Sequence, residues 1–354
     1  MADKNSAKYQ NIMTALWVIL LIAGIIGWIL VSGFSDEIWR ALLVNFLYFT
    51  SLAAGLTLWS AVVRLSNGNW MGELEKLTTA GIAFAPISLI ALVILWWSSP
   101  QWAPWLHHET HHGIWLNNTF LFARNMIMLA LFWIIAIVFH SQGRKKVWAS
   151  VLILTYVVTF SLLGFDLVMA LDPHWYSSLF GAYFFISPLY IGVAAWALQA
   201  VFTQSPDRNR LHDLGKLLLA FSMLTTYMMF SQMYVIWYGN IPHETRYLVP
   251  RMNYQPWMWV SYFLLGVIYL GPLLFLLTRW AKRTPWFLGL VAAVILLGMW
   301  IERWWLVEPT FNRDSMSAIP EIFIAAIFLG SLGILFTLFY RKPPKFAAKG
   351  IEGQ

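Results

Sequence analysis

The stretch IMTALWVILLIAGIIGWILV, residues 12–31, decides the fold class. It carries no charged side chain over about 20 residues, which is the length that a helix needs to cross a bilayer. Because this run is longer than the apolar core of a typical signal peptide, we expect a permanent membrane span and not a cleaved leader. Nine further segments of the same kind follow it along the 354 residues.

The ten apolar segments predict an all-α polytopic membrane protein. Lipid cannot form hydrogen bonds with backbone N–H and C=O groups, so a span must pair these groups within itself or in a closed barrel. Because the segments lack the alternating pattern of a membrane barrel, each is predicted to be a helix. Residues 1–354 are expected to form a single integral membrane domain. We place the spans near residues 11–33, 38–63, 77–98, 116–140, 146–170, 179–203, 213–238, 256–280, 285–306 and 319–340.

The composition agrees with a membrane protein. Hydrophobic residues make up 60% of the chain and charged residues only 11%, against about 25% charged in a soluble domain. The polar stretches are too short for an independent core. With no cysteine, the chain has no disulfide, no thiolate nucleophile and no cysteine ligand for an iron–sulfur cluster.

The basic residues predict an orientation. With the N-terminus in the cytoplasm, most of the 23 lysine and arginine residues fall on the inner side of the ten spans. This bias is the positive-inside pattern, and it predicts that both termini are cytoplasmic. The distribution of the basic residues thus matches a membrane orientation, and the net charge of +7 does not indicate nucleic-acid binding.

The histidines do not favour a membrane haem. A haem held by two histidines needs them inside the bilayer, whereas all eight lie at span ends or in loops: His107, His108, His111, His112, His140, His174, His212 and His243. We therefore expect no cofactor ligated by this chain. If the protein handles electrons, they enter from a partner subunit or a mobile carrier.

Residues 108–112, HETHH, match the zinc-protease pattern H-E-x-x-H. That pattern places both histidines beside the metal only on a regular helix, and here it lies in an outer loop between Pro104 and Gly113. A polar loop near the membrane is the favoured interpretation. Capture of a metal, helped by His107, is the alternative, and a zinc measurement would separate the two.

Arg124 and Asp166 are charged residues that lie inside predicted spans, away from the span ends. Arg124 is roughly 12 Å below the outer end of span four and Asp166 roughly 6 Å below that of span five, at about 1.5 Å per residue. Ionisable groups in a span are costly and are functional candidates. A short loop joins the two spans, so the pair can meet. A structural ion pair and a functional role both stay open.

Other polar groups have simpler explanations. Hydroxyl and amide stripes in spans five and seven are typical of helix–helix packing, although they could also hold water for proton movement: Thr155, Thr159, Ser222, Thr225 and Gln232. Glu302 and Arg303 close span nine, and Glu321 opens span ten. For these three we favour helix capping and anchoring at the interface.

The densest predicted polar cluster lies at the outer side. It comprises Asp166, Asp172, His174, His243, Glu244 and Arg246. A carboxylate and an imidazole beside water suit quinol oxidation, because bases must take up the hydroxyl protons as the electrons leave.

Two sequence segments resemble a known family. Residues 165–183, FDLVMALDPHWYSSLFGAY, resemble the D-x-x-M-[SA]-L-[DE]-P-H-W-[YF]-S-[ST] signature of the NrfD/PsrC-like membrane subunits of alternative complex III, ActC and ActF. Residues 230–251, FSQMYVIWYGNIPHETRYLVPR, look most like the smaller subunit, ActF. The resemblance extends over essentially the whole chain.

The resemblance implies a fold and a function. Spans 2–5 (about 38–170) and spans 6–9 (about 179–306) would form two four-helix bundles, with the spans at 11–33 and 319–340 peripheral. The chain would belong to a quinol:cytochrome c oxidoreductase, or one with another periplasmic acceptor, in a bacterial inner membrane. Its partners would be a multihaem cytochrome c, an iron–sulfur protein and a sister NrfD-like subunit, which hold the haem c and the iron–sulfur clusters.

The resemblance also implies site residues. Asp166, Asp172 and His174 would form the quinol and proton site. Arg124, Tyr234, His243, Glu244 and Arg246 would line the quinone site or a proton path, with menaquinol or another quinone as ligand. A proton-conducting role, a non-catalytic scaffold, and a stand-alone proton or solute carrier are the alternatives.

Overall fold

The computed structural model describes residues 2–31, 36–68, 70–106, 113–202, 207–312 and 316–341. Within these ranges the regular structure is helical, and ten helices are long and apolar enough to cross a membrane, so the predicted fold class is confirmed. We label them α1 Ala2–Val31, α2 Asp36–Leu65, α3 Glu75–Trp97, α4 Asn118–Ser141, α5 Lys146–Leu167, α6 Phe180–Val201, α7 Arg208–Gly239, α8 Trp257–Phe275, α9 Pro285–Val307 and α10 Ile319–Arg341.

Two helices differ from the uninterrupted spans expected. Helix α3 contains a 3₁₀ turn over Ala80–Phe84. Helix α8 contains a π-helical segment, Leu264–Leu270, between two α-helical parts, Trp257–Phe263 and Gly271–Phe275. A π segment holds one extra residue per turn and turns the following side chains to a new face. No hydropathy pattern carries that information.

Contacts between the helices form two rings. Helices α2, α3, α4 and α5 contact one another in sequence and close through α5 and α2, while α6, α7, α8 and α9 close through α9 and α6. We call these rings bundle one and bundle two. They meet mainly along α2 and α6, where a Cβ on Gly55 would overlap the carbonyl oxygen of Pro188. The missing side chain therefore sets how closely the bundles pack.

Helices α1 and α10 pair with each other at the edge, where α10 also contacts α2 and α3 of bundle one. Gly24 and Gly27 of α1 lie against Phe323 and Ile327 of α10, so the small residues permit close contact. Arg341 donates to Asn11 at 2.7 Å, which shows that the helices are antiparallel and that their ends at residues 11 and 341 lie on one side. We call the opposite side, with the α5–α6 and α7–α8 connections, the outer side.

Candidate functional site

The ion pair predicted between α4 and α5 is present. Arg124 donates to both carboxylate oxygens of Asp166, from Nε at 2.7 Å and from Nη2 at 2.5 Å. Asn125 adds a third hydrogen bond, from Nδ2 to Oδ2 at 2.6 Å. Two-pronged arginine–carboxylate pairs of this geometry are among the strongest charge-assisted contacts.

The surroundings of the pair shield its carboxylate from water. Asp166 has no solvent exposure. The guanidinium of Arg124 lies 3.8 Å from the ring centroid of Trp115 and also donates to the Trp115 carbonyl at 3.0 Å. Arg124 and Asn125 are both donors to Asp166, and neither arginine nor an amide gives up a proton near neutral pH. The geometry makes Asp166 a fixed carboxylate that ties α4 to α5.

Asp172 begins a second polar site on the α5–α6 connection. It precedes Pro173, which restricts Asp172 to an extended backbone, observed at φ −114° and ψ 90°. This conformation turns the carboxylate towards the α7–α8 connection, where Arg246 donates from Nε at 2.9 Å. The other oxygen of Asp172 accepts from the backbone N–H of His174 at 3.3 Å. The two connections are thus joined across the outer end of the molecule.

Around this contact lies a cleft of about 430 Å³, which we call the outer cleft. The imidazole of His174 is exposed beside the carboxylate of Asp172, so an acid and a base share one opening to water. The cleft is lined by Gln101, Trp102, Ala103, Pro104, Leu171, Asp172, Pro173, His174, Arg246, Pro250, Arg251, Pro309, Thr310 and Phe311.

Arg251 fixes the floor of the outer cleft. It is buried and donates to the carbonyls of Trp305 and Leu306 at the end of α9, at 3.2 and 2.8 Å. Tyr247 lies beneath its guanidinium and stacks on Trp175 with ring centroids 3.9 Å apart. Burial raises the pKa of the Tyr247 hydroxyl and lowers that of Arg251. Tyr247 therefore stays neutral, and the cleft keeps a rigid base.

A second, apolar cavity of about 590 Å³ lies beside the outer half of α7. We call it the lateral pocket. Tyr234, the residue predicted to line a quinone site, is part of its wall. The other lining residues are mainly apolar or aromatic: Phe230, Met233, Trp237, Asn240, Thr245, Leu248, Val249, Met252 and Asn253. Such a wall suits a hydrocarbon chain.

A shallow depression adjoins both the outer cleft and the lateral pocket. It shares Asn240, Thr245 and Val249 with the lateral pocket, and Arg246 and Pro250 with the outer cleft. We call these three adjoining hollows the groove; its outer-cleft end is charged and its lateral-pocket end is apolar. An amphiphile with a polar ring and an apolar tail matches both ends.

The structure divides the cluster expected from the sequence. Asp172, His174 and Arg246 meet in the outer cleft, and Tyr234 lies in the lateral pocket. Asp166 and Arg124 lie apart from both, because the Asp166 side chain turns inward to α4.

His243 and Glu244 occupy a short helix, Pro242–Thr245, at the rim. His243 is exposed there, and neither residue lines the outer cleft or the lateral pocket. The residues of the expected cluster thus lie in separate places at the outer end, since adjacent positions on the two connections face different directions.

Glu302 and Arg303 were misjudged from the sequence. We expected capping or interface anchoring, but both side chains are fully buried in bundle two. Arg303 donates from Nη1 to Glu302 Oε2 at 2.5 Å and also contacts Ser187 Oγ. The other Glu302 oxygen accepts from the hydroxyl of Tyr183. The charged dipeptide near the end of a span resembles a boundary signal, and only the packing of α6 and α8 over it shows otherwise.

His140 is also more deeply placed than its position at a span end suggests. It is fully buried, with Nε2 at 3.4 Å from Ser60 Oγ and Nδ1 at 3.3 Å from Nε of Arg144. Arg144 in turn pairs with Glu75. Burial lowers the pKa of Arg144, and the Glu75 carboxylate opposes that shift. This cluster fixes the end of bundle one opposite the outer side.

The histidine-rich loop, His107–His112, lies outside the described residues. Among the residues that the structure describes, no group of three or more histidine, aspartate or glutamate side chains could hold a metal ion. The zinc alternative for residues 108–112 therefore stays a prediction.

Comparison with known proteins gives one informative similarity. No family model matches the chain. The chain is 22% identical over 319 residues to a selenate reductase subunit of Mesobacillus selenatarsenatis, a match that covers 77% of this chain and 74% of the relative. The similarity supports the resemblance to NrfD-like subunits and not to ActF in particular. The chain is thus a multi-pass helical membrane protein similar to one subunit of a multi-subunit reductase.

Proposed function

We propose that this chain is the quinone-interacting membrane subunit of a multi-subunit oxidoreductase, and that the quinol ring binds at the outer cleft. The observation that carries the proposal is the groove, in which the outer cleft and the lateral pocket adjoin one depression. Quinols are amphiphiles with two exchangeable protons on the ring and a long apolar tail. The charged end of the groove suits the ring, and the apolar end beside α7 suits the tail.

The residues of the outer cleft can take up protons. His174 is exposed and Asp172 is held by Arg246 and by the His174 backbone, so the acid keeps one orientation while the imidazole remains open to water. We propose that His174 accepts a hydroxyl proton of the quinol as electrons leave. Asp172 and Arg246 position the ring. A positioned base of this kind contributes typically about 10²–10⁴-fold to a rate.

The electrons must pass to a group outside this chain in the proposal. The sequence supplies no cysteine ligands, and the similarity to a reductase subunit supports membership of a larger complex. We propose haem c and iron–sulfur partner subunits and a periplasmic acceptor such as cytochrome c. In this arrangement the outer cleft faces the periplasm of a bacterial inner membrane, and both termini are cytoplasmic.

Purification of the native complex with a tagged chain tests the proposal. We expect haem-containing and iron–sulfur subunits to copurify and His174→Ala to lower quinol oxidation about 100-fold. His212→Ala is the matched control, because His212 lies near the start of α7, on the side of the molecule opposite the outer cleft. This variant should leave turnover unchanged. Unchanged turnover in both His174→Ala and Asp172→Asn would support a scaffold instead. Proton or solute flux by the isolated chain in liposomes would support the stand-alone carrier.

A further inference from the structure

Bundle two contains a buried acid that the quinol proposal does not use. We propose that Glu302 is a proton-binding site that exchanges its proton through the hydroxyl groups of Tyr183 and Tyr269. The site lies on α9, between α6 and α8, and is separate from the outer cleft. The inference stands independently of quinol binding.

The geometry around Glu302 differs from a closed ion pair. Neighbouring residues on a helix do not normally face each other, yet Arg303 curls back to one oxygen of Glu302. Its Nη2 contacts Ser187, and its Nε is buried with no hydrogen-bond partner. Only one N–H group of the guanidinium therefore donates to the carboxylate, so Glu302 receives fewer charge-assisted hydrogen bonds than Asp166 does.

The second oxygen of Glu302 connects to a chain of hydroxyls. It accepts from Tyr183, whose hydroxyl lies 3.1 Å from that of Tyr269. A hydroxyl can both donate and accept, so it passes a proton on, which arginine and amide donors do not do near neutral pH. Tyr183 and Ser187 are four residues apart on α6, so one face of that helix supplies both contacts of the pair.

Burial of the Glu302 carboxylate favours its protonated, neutral form. Glu302 and Arg303 have no exposed side-chain surface. An ionised carboxylate in such surroundings is disfavoured unless its partners compensate fully. The charged group beside Glu302 is Arg303, and Tyr183 donates to the carboxylate directly. The other tyrosines lie near Arg303 or Tyr269: Tyr48 of α2, Tyr156 of α5, Tyr190 of α6, Tyr269 of α8 and Tyr247 of the α7–α8 connection.

The π-helical segment of α8 provides an independent observation. It contains Tyr269, and the carbonyls of Ile268 and Tyr269 accept from Tyr190 and Ser222 and not only from their own helix. π-Helical segments are rare and are frequent at functional sites, where they change the direction of a side chain. Here the re-aimed side chain is the tyrosine that reaches Tyr183.

The proposed exchange balances without any redox partner. Tyr183 gives its hydroxyl proton to the Glu302 carboxylate and takes one from Tyr269, and in the proposal Tyr269 takes a proton from hydronium, which leaves water. Only O–H bonds break and form. The return of the proton follows the same hydroxyls in reverse.

Infrared difference spectroscopy of the full chain in lipid nanodiscs, recorded during a pH change, tests the proposal. We expect a carboxylic-acid C=O band that shifts in D₂O, disappears in Glu302→Gln and returns at a different frequency in Glu302→Asp. Asp166→Asn is the matched control, since it removes an equally buried acid and should leave the band in place.

Tyr183→Phe should leave the band but slow its deuterium shift about tenfold or more, because the variant lacks the hydroxyl that passes the proton to Glu302. That variant also decides the matter if Glu302→Gln does not fold. A band that persists in Glu302→Gln, or a deuterium shift as fast in Tyr183→Phe as in the wild type, would overturn the proposal.

Discussion

Bundle one and bundle two each bury a carboxylate beside an arginine, but they do so in different ways. Asp166 in bundle one receives both prongs of Arg124 and the amide of Asn125. Glu302 in bundle two receives one prong of Arg303 and the hydroxyl of Tyr183. The first acid is surrounded by donors that keep their protons, whereas the second touches a group that can exchange one.

The difference shows that a buried charge does not by itself indicate its role. From the sequence, Arg124 and Asp166 were the stronger functional candidates because they lie inside spans. In the structure both oxygens of Asp166 are occupied by arginine and amide donors. The dipeptide Glu302-Arg303, whose sequence is typical of a helix end, instead leads to the hydroxyls of Tyr183 and Tyr269. The second hydrogen-bond donor, an amide at Asp166 and a hydroxyl at Glu302, distinguishes a structural ion pair from one that can exchange a proton.

The largest effect is expected from breaking the closed pair. Arg124→Ala leaves Asp166 buried without its counter-charge and should lower the free energy of unfolding by about 3–5 kcal/mol. Denaturant unfolding in detergent micelles measures it. Lys146→Ala, at an exposed position, is the control and should change stability by less than about 0.5 kcal/mol. A loss below about 1 kcal/mol in Arg124→Ala would mean that the pair is dispensable.

Besides its arginine, each acid has a second hydrogen-bond donor, Asn125 for Asp166 and Tyr183 for Glu302. Removing these donors compares the two sites more sharply. Asn125→Ala removes a hydrogen bond to an ionised carboxylate and should cost about 1.5–3 kcal/mol. Tyr183→Phe should cost about 1 kcal/mol, because Glu302 can take up a proton in place of the lost bond. Unfolding of both variants under one set of conditions measures the difference. Equal costs would remove the distinction between the two acids.

The contact between the bundles is expected to be sensitive to one methyl group. Gly55→Ala places a Cβ against the Pro188 carbonyl and should destabilise the protein by about 1–3 kcal/mol. Gly266→Ala is the matched control, since nothing lies within 4 Å of a Cβ there. Thermal unfolding of the two variants tests whether α2 and α6 pack as closely as described. Equal stability of Gly55→Ala and wild type would contradict that packing.

The smallest stability effect is expected at the outer cleft. Arg246 is 43% exposed, so its ion pair with Asp172 is weakened by solvent, and Arg246→Ala should cost less than about 1 kcal/mol. The same variant should weaken quinol binding, which a titration of the complex with quinol measures. A large loss of stability without any loss of binding would assign Arg246 a structural role.

Much of the fold follows from the sequence. Long apolar runs such as residues 12–31 predict spans directly, and the ends of most helices fall within a few residues of the prediction. Helix α7 starts earlier than expected, at Arg208, because the Asp207 side chain accepts from the backbone of Asn209 and caps a polar first turn. The π segment of α8 depends on neighbours from α6 and α7, which hydropathy does not include.

The candidate site was predictable only in part. The Arg124–Asp166 pair follows from two charges in adjacent spans, and the contact of Asp172 with Arg246 joins the two motifs that carry the family resemblance. The separation of Asp166 from His174 follows from the direction of each side chain, which spacing across a helix end does not define. The burial of Glu302 depends on how α6 and α8 pack over it.

The most direct test of the central claim is photo-cross-linking of the purified complex with a quinone analogue that carries a photoreactive group on its tail. If the groove binds quinol, peptide mapping should locate the adducts in residues 230–253 of this chain, and unlabelled quinol should compete with them. Adducts confined to other subunits, or insensitive to competition, would contradict a quinol site at the outer cleft.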